Sequence, residues 1–178
     1  VTLLAMLVVT LTGVPVQAQE DDGFRTLFDG KSLDGWTGNE TLWRVEDGAI
    51  VGETTPDNQI QVNQFLVWNQ GEVDDFILKA RFRISGTPRA NSGIQVRSQL
   101  TEDNRLHGYQ SDIDGAGQWV GIFYSEGTGR GILCERGTKV TTKENDETNV
   151  ESLAETEGLN QILRDGWNKY EIHARGNH

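Results

Sequence analysis

Positive charge is in short supply in this chain of 178 residues, where 16 Lys and Arg face 27 Asp and Glu for a formal net charge of −11. That balance argues against a nucleic-acid partner, since phosphate binding needs the opposite sign. Cysteine is all but missing. Cys134 stands alone, so an internal disulfide is impossible. It lies in the apolar strand pattern Ile132-Leu133-Cys134 and reads as a small hydrophobe, not a nucleophile. Histidine is nearly as rare. His107 and His173 have no Cys or His partner at metal-ligand spacing, so a zinc site is not expected. Proline is limited to 3 residues against 21 glycines. With repeated aromatic and β-branched runs, that excess of glycine favours strands joined by tight turns. The length suffices for one globular domain with its own core.

A long apolar run is also missing, apart from the first residues. Val1 to Gln19 carries no charge. Within it, Leu3-Leu4-Ala5-Met6-Leu7-Val8-Val9 reads as the core of a secretory signal peptide, and Val16-Gln17-Ala18 fits the small-x-small cleavage pattern. Thr10, Thr12, Gly13 and Pro15 break the run before it reaches the ~20 residues a membrane span needs. The expectation is a signal over residues 1–18, a domain over 19–178, a secreted or periplasmic location, and no membrane span after cleavage.

What the chain does have is alternation. Trp43 to Gly52 reads as a hairpin turning at Asp47-Gly48. Further strands are expected over Phe65–Trp68, Asp75–Ile84, Ser92–Leu100, Tyr109–Asp114, Trp119–Tyr124, Gly131–Val140 and Trp167–Arg175. Between the last two, Val150, Leu153 and Ala154, then Leu159, Ile162 and Leu163, show i, i+3, i+4 spacing interrupted at Gly158, which predicts one or two short helices. The chain stops at His178 just after a strand, which would leave a bare sheet edge, so further C-terminal strands are expected to be missing.

Side chains alternate along a strand, and same-face neighbours lie about 6.5–7 Å apart. One face of Tyr109–Asp114 therefore carries Gln110, Asp112 and Asp114, with Tyr109 on the other as core. By the same rule Gln95 and Arg97 face away from Ile94 and Val96, and Lys79, Arg81 and Arg83 face away from Leu78, Ala80, Phe82 and Ile84. If these strands share a sheet, carboxylates, amides and guanidinium groups meet on one surface, the chemistry of a sugar-handling face. Leu78, Phe82, Ile94, Val96 and Ile113 are the expected core. For Lys79, Arg81 and Arg83 a plain solvated face is the better reading.

Six phrases carry a resemblance: FRTLFDGKSLDGW (Phe24–Trp36), WRVEDGAIV (Trp43–Val51), NSGIQVR (Asn91–Arg97), GYQSD (Gly108–Asp112), GRGIL (Gly129–Leu133) and WNKYEIHARGNH (Trp167–His178). In this order they resemble the 3-keto-disaccharide hydrolase domain family, once labelled a domain of unknown function. The resemblance implies a concanavalin A-like jelly-roll sandwich of two antiparallel sheets with a groove on the concave one. It also implies cleavage of glycosidic bonds in sugars already oxidised at C3. Where many members carry Glu-x-Gln, this chain has Gln110-Ser111-Asp112.

A ketone at C3 acidifies the C2 proton, so a base can remove it and the aglycone can leave from C1. Such a site needs a base, donors for the enolate oxygen and an acid near the leaving oxygen. Asp112 and Asp114 are the candidate base and acid, and two carboxylates so close raise each other's proton affinity. Arg97 is the candidate charge partner, expected beside Asp112. Gln95 and Gln110 are candidates for holding sugar hydroxyls, Trp119 for stacking on a ring, and Arg130 for the groove rim. Asp114, next to Gly115, also fits a turn residue. Asp112 and Asp114 with backbone carbonyls would suit Ca2+, but two carboxylates make a weak metal signal and no cofactor is expected. A lectin-like binding module is the alternative, since fold does not fix function. A retaining glycosidase would want Glu/Asp-x-Asp-x-x-Glu, which this strand lacks.

Overall fold

The structure is a computed structural model and describes residues 23–101, 105–153 and 165–178. The expected signal segment lies outside the described residues, as do Ala154, Gly158, Leu159, Ile162 and Leu163 of the expected helices. Among the described residues the chain forms strands and no helix. They are β1 (Trp36–Thr37), β2 (Trp43–Glu46), β3 (Ala49–Gly52), β4 (Val67–Trp68), β5 (Phe76–Phe82) and β6 (Asn91–Leu100). Then come β7 (Leu106–Asp114), β8 (Phe123–Glu126), β9 (Gly131–Cys134), β10 (Thr138–Thr142), β11 (Thr148–Ser152) and β12 (Asn168–Ala174). All the pairings are antiparallel.

The largest unit is a four-stranded meander in the order β6-β7-β8-β9. β5 pairs with β12 to make a ribbon whose burial alternates residue by residue. Its apolar side carries Leu78, Ala80, Phe82, Tyr170 and Ile172, with Phe82 and Tyr170 in edge contact at 5.5 Å between ring centroids. The Tyr170 hydroxyl reaches across to the carbonyl oxygen of Asp112 at 3.2 Å and meets the Ser111 side chain. The ribbon thus lies over the face of β7 that holds Tyr109, Ser111 and Ile113, and the result is an all-β sandwich. Ile113 and Ile84 are buried between the layers. Leu78, Phe82, Ile94 and Val96 point the expected way but are half-buried, because two strands cannot cover the width of four.

The hairpin at Asp47-Gly48 forms as expected, and both residues take positive φ, 50° and 74°. Such a pair of left-handed residues matches the twist of the flanking strands. Elsewhere the elements move. Trp119–Ile122 is a turn, not a strand, and β8 begins only at Phe123. The expected strand Gly131–Val140 is two, β9 and β10, separated by a turn at Arg136-Gly137. Val150 does not open a helix. It pairs with Val140 in the β10–β11 hairpin, is 61% exposed, and leads to Leu153, whose N–H bonds the Gly137 carbonyl. β-Branched Thr138, Val140, Thr141, Thr142, Thr148 and Val150 favour strand, and that local preference outweighs a helical spacing set by few residues.

Candidate active site

β6 and β7 build the site because their register brings like faces together. Gly93 stands opposite Asp112 and Gln95 opposite Gln110, and directly opposed side chains in such a pair lie about 4.5–5.5 Å apart at Cβ. The two expected amides and the expected carboxylate therefore share one face. Gln110 Nε2 donates to Asp112 Oδ1 at 2.6 Å. Two glycines make the room: a Cβ on Gly93 would lie 2.6 Å from the Gln110 side chain, and one on Gly108 would lie 2.9 Å from Gln95 Nε2. Asp112 is 7% exposed, and no cation pairs with it among the described residues. Burial raises its pKa. The Gln110 hydrogen bond opposes that rise, while the charges of Glu126 and Asp114 add to it. Both polar amide atoms of Gln95 are buried without a hydrogen-bond partner among the described residues. Such a group costs about 1–3 kcal/mol unless something fills it.

Asp114 lies on the same face and has a different task. Its carboxylate accepts the backbone N–H groups of Gln118, Trp119 and Val120 at 3.1, 2.8 and 2.9 Å. Both of its oxygens are thus engaged in tying down the loop after β7. Arg136 clamps the same loop from the far side through the carbonyls of Gly117 and Val120, each at 3.1 Å. Trp119 rides on that loop with its side chain 40% exposed, held by its own N–H on Asp114.

Two expected site residues leave the face. Arg97 takes a φ of 49°, and the register slips between Val96 and Gln99. Arg97 and Ser98 together oppose Gly108, a bulge that puts two residues against one. Alternation then reverses, and Ser98 occupies the polar face, where its Oγ would lie 2.4 Å from a Cβ on Gly108. Arg97 is carried to the other side. Its guanidinium bonds the Gly176 carbonyl, the Asp74 carbonyl at 3.2 Å and Asp75 Oδ1 at 3.5 Å. It fastens the loop before β5 to the turn after β12, and the expectation that it stands beside Asp112 is corrected. Arg130 is corrected too. It lies over the Tyr109 ring at 5.6 Å and bonds the Tyr109 hydroxyl and Ser125 Oγ. Since Tyr109 pairs with Ser125 in register, all three belong to the opposite face of the sheet.

The same registers bring in two residues that sequence reasoning missed. Tyr124 stands opposite Gln110 and Glu126 opposite Gly108, so both join the polar face. Their alternation in Tyr124-Ser125-Glu126, just ahead of the turn residue Gly127, was the available signal. Glu126 Oε1 accepts from Asn63 Nδ2 at 3.1 Å, which brings the segment before β4 to this end of the face. No group of three His, Cys, Asp or Glu side chains is placed to hold a metal ion among the described residues.

The described residues thus form an antiparallel β-sandwich with a buried carboxylate, paired with no cation among them, beside amides on one sheet face. The family model of the 3-keto-alpha-glucoside-1,2-lyase-like domain matches residues 23–178, and the chain belongs to that family. A search of curated proteins finds no match. The family is named for cleavage of a glycoside of a 3-keto sugar. No helix among the described residues is long and apolar enough to cross a membrane.

Proposed function

We propose that the protein cleaves the glycosidic bond of 3-keto-glycosides by β-elimination, with Asp112 as the proton-transferring group. The observation that supports this reading is the buried Asp112 carboxyl, held by Gln110 and paired with no cation among the described residues, on the same sheet face as a Gln95 amide that has no partner among them. The carboxylate takes the C2 proton, and the electron pair of that bond moves toward the C3 oxygen as an enolate. Gln95 offers an amide N–H to that oxygen or to a neighbouring hydroxyl. The enolate then collapses, the C1–O bond breaks, and an enone forms. The leaving oxygen needs a proton, and Asp112, now protonated, can hand on the one it took. A carboxyl whose pKa is raised by burial suits both steps, since proton transfer is best served by a group poised near the working pH. Water adding to the enone turns the lyase product into a net hydrolysis.

Asp114 supports this chemistry by fixing the loop that carries Trp119, whose exposed ring suits stacking on a sugar. Turnover of a 3-keto-disaccharide, followed by release of the aglycone sugar and by enone absorbance, tests the reading. Wild-type turnover with loss in Asp112→Asn supports it. Sugar binding with no turnover moves the protein to the second reading, a sugar-binding module. That reading is favoured by Asp114, because one of the two expected carboxylates is occupied by backbone. The proposal includes export, on the composition of Val1 to Ala18. Mass spectrometry of the secreted chain should find it starting at Gln19.

A further inference from the structure

The outer face of the β5–β12 ribbon bears a cluster that the cleavage reading leaves unused. Lys79 and Arg81 project from it and Arg83 follows directly after β5, all exposed, and Lys169 stands opposite Arg81 in register. The guanidinium groups of Arg81 and Arg83 lie over the Trp167 ring at 5.4 and 5.3 Å. The Lys79 ammonium lies over the Phe24 ring at 3.9 Å. None of the four cations pairs with a carboxylate among the described residues. In a chain with 27 acidic residues against 16 basic ones, that needs a reason. The carboxylate nearest in register, Glu171 opposite Lys79, turns instead to His173 Nε2 at 2.5 Å.

We propose that this face binds an acidic polysaccharide with a carboxylate on successive sugars. Stacking on aromatic rings holds the cations in place without neutralising them, so their N–H groups stay free for an anion. The planar guanidinium fork matches a carboxylate with two parallel hydrogen bonds. Successive cations on one strand lie about 6.5–7 Å apart, a straight row that suits an extended polymer better than a compact ligand. Trp167 is 42% exposed and leaves apolar ring surface for sugar C–H groups. A net charge of −11 works against any polyanion, so a ligand held by charge alone, as a polyphosphate is, fits poorly and ring contact must contribute. A polymer that also uses ring contact is the better fit. This binding lies on the other layer from Asp112 and does not depend on the cleavage reading.

Affinity electrophoresis of the full chain in gels containing polygalacturonate or neutral dextran tests it. Polygalacturonate should retard the wild type and dextran should not. Retardation should fade as salt rises from about 0.05 M to about 0.5 M, as screening requires. Arg81→Gln with Arg83→Gln should weaken binding about tenfold, and Trp167→Ala should weaken it in the same direction. Circular dichroism checks that the double variant is folded, and Arg83→Gln alone serves if it is not. Absence of retardation, or equal retardation of wild type and variant, overturns the proposal. Equal binding to single-stranded DNA or to phosphatidylglycerol vesicles also overturns it, since the face would then read charge alone.

Discussion

The two layers of the sandwich obey the same alternation rule with different fidelity. In β5 and β12 burial alternates residue by residue: Leu78, Ala80, Phe82, Tyr170 and Ile172 point in and Lys79, Arg81 and Lys169 point out, although Ile77 lies exposed on the outer face and Asn168 stands opposite Phe82 on the inner one. In β6 and β7 it holds as far as Val96 and is then reversed by a bulge, and a carboxylate is buried with no cation beside it among the described residues. A strand that only has to cover a core keeps every side chain where packing wants it. A strand that carries chemistry departs from the rule where the departure arranges a site, and the surrounding structure meets the cost. Arg97 is the cost made visible, a non-glycine residue at positive φ tied at its guanidinium to Asp75 and Gly176.

The largest effect expected on this contrast is at Asp112. Asp112→Asn should lower turnover of a 3-keto-disaccharide by about 10²–10⁴-fold with little change in KM, because the shape is kept and proton transfer is lost. The same substitution should raise stability at neutral pH. A carboxyl with a raised folded-state pKa stabilises the fold fully below its unfolded pKa, and that contribution is lost as pH rises through the folded value. At pH 7 wild type bears that loss and the Asn variant does not. Thermal melts should show the variant ahead at pH 7, with the gap closing toward about pH 4. Lost turnover together with lowered stability would break the picture of a site built at the expense of the fold. Arg83→Gln, just past the end of β5, is the control, expected within about 0.5 kcal/mol of wild type.

Asp114 should behave in the opposite way to its neighbour. Asp114→Ala removes the acceptor of three backbone N–H groups, and hydrogen bonds to charged groups contribute about 1.5–3 kcal/mol each. Allowing for water entering the loop, a loss of about 3 kcal/mol in urea unfolding is expected. Were Asp114→Ala as stable as wild type but inactive, Asp114 would be a direct participant and the division between the two carboxylates would fail.

A smaller effect tests the floor of the site. Gly93→Ala places a Cβ 2.6 Å from the Gln110 side chain, which is flexible and can swing away from Asp112. Turnover should fall about tenfold while stability drops by about 1 kcal/mol, within the range for overpacking. Adding Gln110→Ala to Gly93→Ala should cost little more, since the first change has already broken the contact.

How much of this was legible follows the same division. Leu78, Ala80, Phe82 and Ile84 against Lys79, Arg81 and Arg83 could be sorted from sequence because β5 is regular. Asp47-Gly48 announced its hairpin because few residue pairs tolerate two positive φ angles. Gln95, Gln110 and Asp112 were brought together by alternation and one correct pairing. Arg97 was not, because a bulge adds one residue and nothing in Asn91–Leu100 announces it. Trp119 begins the expected strand Trp119–Tyr124 but lies in a turn. The turn there is held by the Asp114 side chain just before it and by Arg136 from beyond β9, ties between side chain and backbone that strand propensity does not report. Tyr124 and Glu126 reach the polar face through the register of β8 to β7, which a strand beginning at Trp119 does not reveal.

The smallest expected effect depends on one of those hidden residues. Glu126 shares the face with Asp112, and its charge adds to the rise that burial causes in the Asp112 pKa. Removing the charge in Glu126→Gln should therefore lower that pKa while leaving the burial contribution in place. Asp112 must be ionised to accept the C2 proton, so activity falls on the acid side as Asp112 is protonated. The acid limb of kcat/KM against pH should accordingly move to lower pH in Glu126→Gln, with the plateau near its wild-type height. Glu126→Ala should shift the limb the same way and also lose the tie to Asn63, so any further fall in the plateau measures that contact. A limb that stays in place would mean that solvent at this end of the face screens Glu126 from Asp112, and that burial, the Gln110 hydrogen bond and the Asp114 charge set the proton affinity of the base.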